Sequence, residues 1–142
     1  ATSRQLRRRL VAGTAWVSHL LQDMVEFTLS SPDGARLIGQ ARDDYTRRRR
    51  DLEAALQEQA IACLADGDGL NLWVPLAGDD RGVALSLARQ GWLVRHGEGF
   101  SVAEEVKGLR ITISTIEPEQ AKRLALAIRR SLDHVPASAR QT

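Results

Sequence analysis

The spacing of apolar residues changes character part-way along the chain, and no other feature limits the fold as much. Up to about residue 60 they recur three and four apart; from Leu70 onward they alternate one by one, between shorter helical stretches. Ser3 can cap a short helix bearing Leu6 and Leu10, with Gly13 as its stop. Thr14 is placed to cap a second, whose Val17, Leu20, Leu21, Met24, Val25 and Thr28 form a stripe expected to be buried. SSPDG, residues 30–34, is turn chemistry and should end it. A long helix is then expected from about Ala35 to Ala60, with Leu37, Ile38, Ala41, Tyr45, Leu52, Ala55, Leu56 and Gln59 on one side. At 1.5 Å per residue it would reach roughly 35–40 Å, a length that suits a helix spanning two lobes.

After ADGDG the period falls to two. Leu70, Leu72, Val74 and Leu76 alternate with Asn71, Trp73 and Pro75, the pattern of a strand. Asp79 or Asp80 can cap a helix with Val83, Ala84, Leu87 and Ala88, stopped at Gly91. A short strand over Trp92 to Arg95 should run into the loop HGEGF, and Leu109, Ile111 and Ile113 mark another strand. The last helix opens at Glu117–Pro118 and carries Ala121, Leu124, Ala125, Ile128 and Leu132. Helices first and then β-α-β-β-α predict an α+β fold, a small sheet covered by helices.

Composition narrows the function classes. The 142 residues are enough for one real core, and the net charge of +2 implies neither a nucleic-acid coat nor an acidic tail. No run of apolar residues is long enough to span a membrane, and ATSRQLRRRL lacks the apolar segment of a secretory signal. Cys63 is the single cysteine, which excludes an intrachain disulfide and disfavours a cysteine-based metal site. The first residue is Ala1 rather than methionine, so a domain cut from a longer protein is expected.

Arg47 to Arg50 is the densest charge. Successive helical residues lie about 100° apart, so the four guanidiniums spread around the helix instead of tracking phosphates. Asp43, Asp44, Asp51 and Glu53 flank the run, and a solvated, salt-bridged helix is expected. His19, His96 and His134 share no ligand spacing, so no metal site is expected. Trp16, Trp73 and Trp92 suit core or lobe-interface positions. HGEGF should be a turn, not a phosphate cradle, because it does not lead into a helix. Arg110 stands apart: it lies within the apolar strand GLRITIST, on the face opposite Leu109, Ile111 and Ile113. Its planar fork suits a carboxylate, and solvent or a neighbouring acid would satisfy it as well.

The order of the long helix, GLNLWVPL, a helix, GWLVRHGEGF, GLRITIST and EPEQAKRLALAIRRSL resembles the C-terminal part of fold-type I pyridoxal-phosphate enzymes, the aspartate-aminotransferase superfamily. Within it, GTAWVSHLLQ, the tandem-arginine helix and GLNLWVPL are most similar to the aminotransferase-like region of MocR regulators in the GntR group. The resemblance runs from about Arg4 to Leu132. It implies three regions: N-terminal helices over 1–34 that belong with a large domain or interface, an inter-domain helix over 35–62, and a small aminotransferase-like domain over 63–142. It implies that Arg110 binds the carboxylate of an amino-acid-like effector or substrate. It also places Trp16 and Ser18 near the active site or the dimer interface, where ordinary helix burial is the competing reading.

The parent is then expected to be a cytoplasmic homodimer that holds pyridoxal phosphate and meets DNA only through a winged helix upstream. The only lysines are Lys107 and Lys122, and neither sits in the context of the family's Schiff-base lysine. By itself this segment is therefore expected to bind no cofactor and to catalyse nothing. A class I/II aminotransferase is the alternative parent, and a stand-alone interaction module the second.

Overall fold

The computed structural model describes residues 18–64, 69–100 and 106–134. The chain divides into two compact units, 1–42 and 43–142. The short helix expected between Ser3 and Gly13 lies outside the described residues, as do Thr14 and Val17.

In the first unit, helix α1 spans His19–Ser30, so Ser18, not Thr14, stands at its N-cap, and the Ser18 side chain makes no capping bond. Helix α2 spans Pro32–Glu58, starting three residues before the expected Ala35. One extended residue, Ser31, serves both helices: its N–H donates to the Phe27 carbonyl, and its Oγ accepts from the Gly34 N–H at 3.0 Å. Pro32 follows at the first helical position, where a missing N–H leaves nothing unpaired. Gly34 is buried against α1, and a Cβ there would fall 1.7 Å from the Thr28 carbonyl oxygen, so only glycine permits this turn. The break expected at SSPDG is real but one residue long.

The stripe on α1 is not buried. Leu20, Leu21, Met24 and Val25 are 55–69% exposed, Thr28 is exposed too, and α1 has no buried residue. Leu37 and Ile38, at the start of α2, are likewise exposed. Helical period identifies the side that would gain from cover; burial also needs a surface to provide it.

The second unit supplies such a surface. Strand β1 (Asn71–Pro75), strand β2 (Arg95–His96) and strand β3 (Gly108–Thr112) form an antiparallel sheet in the order β1-β3-β2. Leu72, Val74, Leu109 and Ile111 form one face of it and are buried with Leu52 and Leu56 of α2. Helix α3 (Asp80–Arg89) adds Val83 and Leu87, and helix α4 (Pro118–His134) adds Ala121, Leu124, Ala125 and Ile128. Asp79 caps α3 by accepting from the Gly82 N–H at 2.9 Å, and Gly91, at φ +86°, follows its end. The strand expected over Trp92 to Arg95 reduces to Arg95–His96. Trp92 and Val94 instead lie half-buried against the core.

The arginine run is less solvated than expected. Arg47 pairs with Asp44 at 2.9 Å on the surface. Arg48 and Arg49 are only 20% and 11% exposed in their side chains. Arg48 donates to the Ser114 carbonyl and meets Glu117 at 3.3 Å. Arg49 donates to the carbonyls of Gly69 and Asn71, and faces Glu53. Backbone acceptors at strand ends need donors, and these two guanidiniums pin α2 to one end of the sheet, where β1 begins and β3 finishes.

Candidate functional site

The sheet face turned away from the core carries a row of side chains set by strand pairing. Trp73 of β1 pairs with Arg110 of β3, and Arg110 pairs with Arg95 of β2, so the three stand side by side on that face. A 3-10 turn, Gly97–Phe100, follows β2 directly and brings Phe100 over Arg110, with the guanidinium carbon 4.4 Å from the ring centroid. That distance is a cation–π contact, which holds the guanidinium by one face and leaves its edge free to donate.

Arg110 is half-buried, its Nε is enclosed without a hydrogen-bond partner, and no acid pairs with it among the described residues. Glu98, the acid carried by the same 3-10 turn, is engaged by Arg81. A buried donor left unpaired is costly, and an anion beside Arg110 would relieve that cost.

Two residues keep this row in place. A Cβ on Gly108 would come within 2.5 Å of the Trp73 ring, so the indole packs this closely against the start of β3 only because that residue is glycine. Asp80, buried at the first turn of α3, accepts from the Gly97 N–H at 2.8 Å and the Gly108 N–H at 3.1 Å through one carboxylate oxygen. It thereby ties the turn bearing Phe100 to the strand bearing Arg110. Burial pushes its carboxyl upward, but the Gly108 and Gly97 N–H donors, His96 and the Arg81 N–H outweigh that and hold it below the ordinary aspartate range. Asp80 belongs to no motif. Its one signal is the doublet Asp79–Asp80, since a helix start needs a single cap and leaves the second carboxylate for another use.

Trp16 lies outside the described residues, and Ser18 is half-buried ahead of α1 in the other unit. His19 and His134 are exposed at helix ends, and no group of three His, Cys, Asp or Glu residues able to hold a metal exists among the described residues. Burial and Glu53 raise the Cys63 thiol above its ordinary pKa, with Arg49 acting against them, which makes it a poor nucleophile. Among the described residues, neither lysine stands in an enclosed site suited to pyridoxal phosphate. Lys122 is ion-paired with Glu119 on the exposed side of α4, and Lys107 is exposed just before β3. Arg110 is the group here suited to an acid.

Among known proteins, the aminotransferase class I and II family matches residues 4–128. The vitamin B6 salvage pathway transcriptional repressor PtsJ of Salmonella typhimurium is 45% identical over 133 residues, covering 94% of this chain. The chain spans 31% of that repressor's length. An aromatic aminotransferase from Pyrococcus horikoshii has a similar structure, with a TM-score of 0.60 at 20% identity over 75% of this chain and 29% of its own. A serine palmitoyltransferase from S. paucimobilis gives 0.55 at 15% identity over 66% of this chain and 25% of its own. These two likenesses show a shared fold, a fragment of the pyridoxal-phosphate-dependent transferase fold.

Proposed function

Because the chain belongs to the aminotransferase class I and II family, we propose that it is the C-terminal, aminotransferase-like part of a MocR regulator of the GntR group. The identity to a transcriptional repressor supports a regulator over a free-standing aminotransferase. In the parent, residues 1–34 belong with the large domain or interface, 35–62 with the inter-domain helix, and 63–142 with the small domain. Pyridoxal phosphate, the lysine that takes it and the groups that hold its phosphate belong to the remainder of the parent. When bound, that cofactor supplies an electrophilic carbonyl to an amino group.

The segment's own task is recognition. Arg110 receives the carboxylate of an amino-acid-like effector along its free guanidinium edge, while Phe100 fixes the plane in which it does so. The single observation that carries this is a half-buried guanidinium, stacked on an aromatic ring, with an unpartnered Nε and no acid beside it. An effector that prefers one closure state of the small domain shifts the population toward it, and with it the spacing of DNA-binding heads in a cytoplasmic homodimer. DNA contact belongs to a winged helix upstream. No described helix is long and apolar enough to cross a membrane.

The test is calorimetric titration of the full-length parent with amino acids. Arg110→Ala should weaken binding by roughly 10- to 100-fold, the worth of one charge-assisted bidentate contact. Unchanged affinity removes Arg110 from the site. A parent that retards no DNA overturns the regulator and leaves the aminotransferase.

A further inference from the structure

On the reading that Arg110 receives the ligand's carboxylate, we infer that Arg95 is a second anion-binding point of the same site, so that the parent selects a ligand with two acidic groups, a dicarboxylic or phosphate-bearing amino acid. Arg95 and Arg110 are direct register partners on β2 and β3. Opposite residues of an antiparallel pair point to the same face with their Cβ atoms about 5 Å apart. Like charges in that position repel, and among the described residues neither arginine has an acidic partner to relieve the repulsion. Glu98, two residues beyond β2, is engaged by Arg81 instead.

The order across the sheet gives the site a direction. Trp73 stands on the β1 side of Arg110 and Arg95 on the β2 side, while Phe100 covers one face of the Arg110 guanidinium. A ligand held by its carboxylate at Arg110 is bounded by an indole on one flank and meets a cation on the other. Arg95 is exposed, so its guanidinium is free to reach a second acidic group at the end of a short side chain. A monocarboxylic ligand would leave the repulsion half relieved.

The full-length parent, wild type and Arg95→Ala, Arg95→Lys and Arg110→Ala variants, is titrated by calorimetry with norvaline, aspartate, glutamate and O-phosphoserine. The wild type is expected to bind at least one of the three diacids roughly tenfold or more tighter than norvaline. Arg95→Ala should abolish that preference and leave norvaline within about twofold, whereas Arg95→Lys, which keeps a point charge, should retain much of it. Which diacid loses most identifies the second group as carboxylate or phosphate. A wild type with no preference, or a preference that survives in Arg95→Ala, overturns the inference. If Arg110→Ala leaves all four affinities unchanged, the reading of Arg110 itself fails, whatever Arg95 does. Unfolding midpoints of the variants separate loss of the site from loss of the fold.

Discussion

Helices α1 and α4 both carry apolar residues three and four apart, and only α4 buries them. Ala121, Leu124, Ala125 and Ile128 of α4 are at most 2% exposed, whereas Leu20, Leu21, Met24 and Val25 of α1 are at least 55% exposed. The difference lies in what stands opposite. The face of α4 is met by a sheet whose Leu72, Val74, Leu109 and Ile111 are themselves apolar, and by Leu52 and Leu56 of α2. α1 meets no such surface among the described residues. An amphipathic stripe is therefore a statement about demand, and tertiary contacts decide whether it is met.

The largest effect expected from that contrast is at Leu56, which is fully buried. Leu56→Ala should cost about 2–5 kcal/mol in urea unfolding of this chain, the transfer term plus the cavity left behind. A loss under 1 kcal/mol would mean that the second unit is not packed as described.

Next in size is Asp80→Asn, which takes the charge from two backbone hydrogen bonds and should cost about 1.5–3 kcal/mol at neutral pH. The native carboxyl titrates below the unfolded one, whose pKa is about 3.9. Its contribution is therefore complete above that value and is lost as the pH falls through the native pKa. Wild type and Asp80→Asn should converge in stability below about pH 4; a constant gap down to pH 2 would show that charge is not what Asp80 contributes.

The smallest effect is expected on α1, where Leu21→Ala should change the unfolding free energy of this chain by less than about 0.5 kcal/mol. A loss at Leu21 as large as at Leu56 would erase the contrast and show that α1 is covered in solution. Dependence of that loss on protein concentration would identify a second copy as the cover.

Much of the second unit is legible in the sequence. The alternation around Leu72 and Ile111, proline at the start of α4 and glycine after α3 are local signals, and each sits where its own backbone chemistry requires. The Trp92 strand was less so, because its residues are drawn into the core beside α3 instead of pairing. Within the site, the place of Arg110 on the outer face followed from a period of two, but its neighbours did not. Phe100 reaches it from ten residues upstream through a short turn, and Asp80 holds that turn from seventeen residues before it. Arg48 and Arg49 looked like two of four solvated charges, yet carbonyls at Gly69, Asn71 and Ser114 claim them.

What the chain determines alone is thus the order of elements, the side of each that is apolar and the strand that carries the isolated arginine. Those follow from backbone sterics and side-chain period, which act within a few residues. Tertiary structure decided which stripes are covered, that Asp80 is a buried acceptor while Asp79 is the cap, and that Arg95, Arg110, Trp73 and Phe100 stand together. Strand register and long-range closure place those groups, and neither is written in any short window of residues.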